Sequence, residues 1–176
     1  MKIIKYGDGA SSRPHETYVI KNSETIRIGG VVKLVSGAVE PADAVTDLVY
    51  GLCVGFVGAD GNTPYDKLLQ GQKGSGDTYT HGASLAVHSN NETVAKIRAK
   101  VVPLMPNDIV RGVADEDLST GTASNIGTYI NIDTADESKF KKDTGSASVE
   151  QFLIVDHPGT ARGIDAKVVE GQIFGQ

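Results

Sequence analysis

Apolar and polar residues alternate along much of this chain with the two-residue period of a strand, in short stretches separated by glycine, proline and Asn-Asp turns. The clearest case is Thr93 to Val102. There Ala95, Ile97, Ala99 and Val101 share one face while Lys96, Arg98 and Lys100 share the other. A slip of one residue would bury three cations, so the register of this strand is well specified. Pro103 and Pro106 end it, and Asn107-Asp108 turns the chain into a further strand, Ile109 to Val113.

The stretch Gly29 to Gly58 reads as two strands around a polar spacer. Gly-Gly-Val-Val-Lys-Leu-Val runs to Val35, the spacer extends through Glu40 to Asp47, and the apolar run Leu48 to Ala59 ends at the turn signal Asp60-Gly61-Asn62. Gly51 and Gly55 inside a strand mark a tight bend in a curled sheet or a close approach of another backbone. Shorter strands are expected at Lys2 to Tyr6, Thr17 to Ile20, Thr25 to Ile28, Tyr129 to Ile132, Gln151 to Val155 and Ile164 to Val169. Ala135 to Lys142 fits a single helical turn, and Ile173 with Phe174 offers a last apolar contact.

Between these elements lie two polar tracts. Gly7 to Glu16 is rich in Gly, Ser and Pro and reads as an arm rather than core. The tract from 60 to 92, with Gly71, Gly74, Gly76 and Gly82, reads as an excursion from the main body. The chain therefore divides into an N-terminal arm with the first short strands (1–24) and a single β-barrel-like domain (25–176).

Composition sharpens this to an all-β (mainly β) fold. Of 176 residues, 39% are hydrophobic and 22% charged, enough to bury a core; 21 glycines and 6% aromatics, with no Trp, suit a sheet with many turns rather than a helical bundle. The net charge of -5 argues against nucleic acid as a partner, which requires a basic face, and against an anionic membrane. Lys139, Lys141 and Lys142, flanked by Asp136, Glu137 and Asp143, read as a solvated mixed-charge loop. The opening residues hold no apolar run long enough for a signal peptide, and no later window suits a membrane span, so synthesis and folding in the cytoplasm are expected.

Candidate chemistry is sparse. Cys53 is the single cysteine, so neither an intrachain disulfide nor a Cys-based zinc site can be built, and its neighbours Leu52, Val54 and Phe56 make it a small buried hydrophobe. His15, His81, His88 and His157 are scattered without metal-ligand spacing. Asp115-Glu116-Asp117 lacks the alternating oxygens of a calcium loop. Gly7-Asp8-Gly9 lacks the lysine and helix of a phosphate loop, and Ser11, Ser12 and Ser84 lack a nucleophile elbow. No catalysis, cofactor or metal is expected.

The order of parts resembles the capsid decoration, or cement, proteins of tailed bacteriophages. The resemblance is carried by the polar arm, the Gly-Gly-Val-Val-Lys-Leu strand, the spacer with Asp43 to Asp47, and Val-Tyr-Gly-Leu-Cys-Val-Gly-Phe. After the excursion follow Val-Val-Pro-Leu, Asn-Asp-Ile-Val, Gln-Phe-Leu-Ile-Val-Asp and Ala-Lys-Val-Val. It implies a small β-barrel or β-tulip-like domain on the capsid exterior of a virion, bridging major capsid protein subunits, commonly as a homotrimer.

A short strand within an arm can complete an exposed sheet edge, where backbone hydrogen bonds give affinity and alternate side chains give register. On this reading Lys2, Ile4 and Tyr6 form the added strand, Arg13 and Tyr18 are side-chain anchors, and loss of residues 1 to 16 leaves the fold intact. The opposing expectation is that the first residues pair within their own barrel. Other functional classes are a carbohydrate- or receptor-binding β module, using Asp77 to His81 with Tyr79 and Ser119 to Asn125, or another virion part such as a tail or neck protein.

Overall fold

A computed structural model of the chain describes residues 1–21, 24–58, 78–80, 98–115, 125–142, 150–158, 162–170 and 173. Thirteen strands lie among the described residues: β1 (Lys2–Lys5), β2 (Glu16–Ile20), β3 (Thr25–Arg27), β4 (Val31–Val35), β5 (Ala38–Pro41), β6 (Gly51–Val57), β7 (Thr78–Thr80), β8 (Arg98–Pro103), β9 (Ile109–Val113), β10 (Tyr129–Asp133), β11 (Asp136–Lys142), β12 (Phe152–Asp156) and β13 (Gly163–Val168). The fold is all-β, as the alternation implied. Most of the expected excursion lies outside the described residues; its 78–80 segment pairs as β7 with β3.

Two sheets dominate. Strands β2-β5-β4-β6-β8 close into a barrel, and β1-β9-β13-β12-β10-β11 form a six-stranded antiparallel sheet. That sheet curls, because Ala114 at the end of β9 bridges to Phe140 in β11 and the Asp115 N–H donates to the Phe140 carbonyl at 2.8 Å.

Period-two alternation feeds two cores from the same strands. In β4, Val31 points to the core shared with the six-stranded sheet and Val32 into the barrel; in β6, Leu52 and Cys53 divide in the same way. Ala99 and Val101, one face of the alternation in β8, are buried in the barrel, while Arg98 and Lys100 are only partly covered. The core of the six-stranded sheet centres on Phe140 and Phe152, whose rings meet edge to face at 5.3 Å.

Glycine does two separate jobs in the barrel. A Cβ on Gly51 would lie 2.4 Å from Val101 Cγ1 and 2.7 Å from the Val102 carbonyl oxygen, so this is the close approach that a glycine in a strand signals. Gly55 instead follows a bulge between β6 and β8. The β4–β5 hairpin turns through Ser36 and Gly37, both at positive φ (51° and 82°), the signature of a tight primed turn.

Three expectations need correction. The spacer after Val35 contains β5, because the Ser36-Gly37 turn folds Ala38–Pro41 back on β4. Residues 135–142 form no helical turn and no loop: Thr134-Ala135 is the turn, and β11 pairs with β10, Ile132 opposite Phe140. Phe140 is fully buried between exposed Lys139 and Lys141, so these two lysines stand on the solvent face of a strand.

The third concerns the N-terminal segment, which is not a free arm. Lys2, Ile3 and Lys5 pair with Arg111, Val110 and Ile109 of β9, Ile3 packs on the core, and β2 closes the barrel between β5 and β8. A segment with so little apolar content is held because backbone pairing and one ion pair replace the core it lacks.

The two sheets are stapled by Gln151, whose side chain is fully buried. Its Nε2 donates to the carbonyls of Asp47 (2.9 Å) and Ala44 (3.3 Å) in the β5–β6 loop, and its Oε1 accepts from the Ile132 N–H at 3.0 Å. Lys33 Nζ pins the same loop through Asp47 (2.8 Å) and Asp43 (3.1 Å).

Candidate interaction surface

Strand β1 ends the six-stranded sheet. Its inner edge is taken by β9, and no strand among the described residues pairs with its outer edge. A bulge between Ile3 and Lys5 leaves Ile4 unpaired in the register and 40% exposed, beside exposed Lys2 and Lys5. A terminal strand of this kind offers unpaired backbone groups to an incoming strand. At the other end of the sheet β11 also carries lysines outward, Lys139 and Lys141, but there Ala114 bridges to Phe140.

Of the residues expected to face a partner, Arg13 is the most firmly committed within the chain. Its Nη1 donates to Asp108 Oδ2 at 2.6 Å and to the Pro103 carbonyl at 2.8 Å, its Nη2 donates to Asp8 Oδ2 at 3.1 Å, and its guanidinium lies 4.8 Å from the centre of the Tyr6 ring. Asp108, wholly buried, also accepts the N–H groups of Gly7 and Met105, each at 2.8 Å. Hydrogen bonding to Asp108 raises the Arg13 pKa, and Asp8 is lowered by the Ala10 N–H and by Arg13. The Gly7–Glu16 segment is thereby tied across the sheet from both sides.

Tyr18 is likewise engaged. Its ring meets Tyr50 edge to face at 5.3 Å, and the two hydroxyls and the Glu16 carboxylate form one cluster, in which the hydroxyls lie against each other and share their two protons with Glu16. These bonds hold the Glu16 carboxyl below its usual range, while burial raises both tyrosines. The structure thus separates the five residues: Lys2 and Ile4 lie at the open edge, Tyr6 and Arg13 belong to the Asp108 knot, and Tyr18 caps the barrel.

Between β1 and the barrel wall lies a cavity of about 300 Å³ lined by Ile3, Tyr6, Ile28, Leu52, Cys53 and Val54, among others. Cys53, whose side chain belongs to the barrel core, is among its lining residues, and burial pushes its thiol up to about 12, so the thiolate is scarce at neutral pH. Among the described residues no three His, Cys, Asp or Glu side chains gather as a metal site. His81, His88, Tyr79's side chain, and all but Asn125 of the Ser119 to Asn125 loop lie outside what is described.

Sequence reasoning missed Asp108, Gln151 and Tyr50. Asp108 was legible only as a turn residue, since its partners Gly7 and Arg13 are about 100 positions away. Gln151 stood in an apolar strand pattern, where a buried amide must find partners, and that was the available signal.

No protein-family model, no curated protein and no solved structure matches this chain.

Proposed function

We propose that this is a non-catalytic structural protein that binds the outer surface of a phage head and stabilises the lattice by bridging major capsid protein subunits, with a homotrimer as its working form. The single observation that supports the reading is the open outer edge of β1, with Ile4 unpaired and exposed beside Lys2, next to a closed barrel. The resemblance in the order of parts supplies the assembly.

Bound only to the assembled lattice, such a protein shifts the balance away from disassembly by mass action. Many copies turn a modest contact into firm retention. Because β1 is already part of the sheet, the chain acts as acceptor of a strand rather than as donor of a loose one.

Light scattering of the pure protein, followed by sedimentation with undecorated heads, tests this. Saturable co-sedimentation at a fixed ratio to major capsid protein is expected, and Ile4→Lys should abolish it without unfolding the chain. A stable monomer that sediments with no matched head overturns the reading in favour of a free-standing binding module.

A further inference from the structure

On a chain of net charge -5, one sheet face gathers cations. In the six-stranded sheet the inward row Ile3–Val110–Ala166–Ile154 is core, so the rows on either side point outward. One outward row runs Tyr129–Leu153–Lys167–Ile109–Lys5, and the next holds Asp165–Arg111–Lys2.

Four cations therefore stand on three adjacent strands, Lys2 and Lys5 on β1, Arg111 on β9 and Lys167 on β13. Only Arg111 has a carboxylate partner: its Nε and Nη2 donate to Asp165 at 2.7 Å each. Asp165 is buried, and exposed Asp156 is the second carboxylate by the register, opposite Asp165. Lys2, Lys5 and Lys167 form no ion pair among the described residues.

Lys2 sits directly opposite Arg111, an arrangement of like charges that costs stability in an isolated sheet. Around these cations the face is apolar: Ile109 and Leu153 are half-buried, and Tyr129 and Val113 are 41% and 50% exposed. Excess positive charge framing exposed apolar side chains complements a surface of the opposite sign.

We propose that the outer face of β1, β9 and β13 is a docking face for a carboxylate-rich surface of a partner protein. This goes beyond edge pairing at β1 and holds whatever assembly the partner belongs to. The cations orient the partner and speed its approach, and the apolar residues beside them hold it. A second copy pairing through β1 in antiparallel fashion would set Lys2 against Lys5 of its mate, so the face selects an acidic partner over its own edge.

Titrating the isotope-labelled full chain with poly-L-glutamate, and separately with a short DNA duplex, tests this by amide chemical shifts, without phage heads. Shifts confined to β1, β9 and β13, weakening with salt, are expected. Lys5→Glu combined with Lys167→Glu should weaken polyglutamate binding about tenfold, as loss of two exposed ion pairs implies. Should that variant melt early, Lys5→Gln with Lys167→Gln gives the same reading with a smaller loss. Shifts elsewhere, no shifts, unchanged affinity in a folded variant, or tighter binding of the duplex at this face would each overturn the proposal. Failure of head co-sedimentation alone would not touch it.

Discussion

In the barrel each strand pairs with two neighbours, β2 closing the ring between β5 and β8, whereas the six-stranded sheet stops at β1. Among the described residues the core under the six-stranded sheet is the larger, sixteen buried residues against eight in the barrel, and the two regions dispose of their backbone groups differently. Closure removes edges altogether, so the barrel has nothing to offer an incoming strand. The open sheet bridges its β11 end to Ala114, and leaves Ile4 uncovered at the other. Adhesive capacity therefore collects at β1, and stability is concentrated elsewhere.

The largest test of this division is in the core of the open sheet. Phe140→Ala removes a fully buried ring that contacts Phe152 and should cost about 3–5 kcal/mol, read as a fall in the urea midpoint. If the barrel is the sturdier unit, its amides should stay protected in hydrogen exchange while those of β10 and β11 open first. Uniform loss of protection would show that the two regions unfold as one.

Next comes the knot that ties β1 and the following segment down. Asp108→Ala leaves the Arg13 guanidinium with 8% side-chain exposure and without its main partner, and it frees the Gly7 and Met105 N–H groups. The expected cost is about 3 kcal/mol. Proteolysis should then cut within Gly7 to Glu16, whereas the barrel strands β4 and β6 should resist.

On the barrel side, Gly51→Ala forces a methyl against Val101 and the Val102 backbone and should cost about 1–3 kcal/mol. Reactivity of Cys53 toward an alkylating reagent reports this locally, since the thiol is buried one strand position away from Leu52 and its pKa is raised to about 12. A variant as stable and as unreactive as the parent would mean that the ring of strands yields easily there.

How far the sequence foretold this contrast differs by region. Strand β8 was legible because its strict alternation means a slip would bury cations, and β9 because the Asn107-Asp108 turn marks its start. The β4–β5 hairpin was missed although Ser36-Gly37 between apolar residues signals a primed turn. The 135–142 stretch misled because Ala, Glu and Lys favour a helix locally, and pairing with β10 and burial of Phe140 against Phe152 override them. The supposed arm failed for a similar reason: Arg13 looked free because its partner Asp108 is distant in sequence. What makes β1 an edge is topological, and no local pattern encodes which strand ends a sheet.

A pH test sharpens the comparison at the seam between the two regions. Burial raises the Glu137 carboxyl above its usual value, and a Cβ on Gly30 in the turn before β4 would touch its side chain. A raised carboxyl pKa means that ionisation is harder in the folded state, so the group's favourable contribution is present below the unfolded pKa and lost as pH rises through the folded one. Glu137→Gln should therefore raise the melting temperature at pH 7, and the gain should vanish below about pH 4. Asp8, Glu16 and Asp136 are lowered and act with the opposite sign, so the parent protein should lose stability as pH falls below the carboxylate range. An acid-stable parent would contradict the lowered carboxyls, and no gain for Glu137→Gln at pH 7 would contradict the raised one.

The smallest effect on folding is expected at Ile4, whose side chain is 40% exposed and unpaired in the register. Ile4→Lys should shift stability by about 0.5 kcal/mol or less, because surface changes away from packing and strain seldom do more. A lysine there also removes the one exposed apolar residue between Lys2 and Lys5, and charged side chains at an edge discourage strand addition. The two ends of the sheet would then be alike, and any association that depends on the open edge should disappear while melting stays put. A large loss of stability would instead mean that Ile4 belongs to the core contacts of Ile3, and the distinction between a closed and an open region would have to be drawn somewhere other than β1.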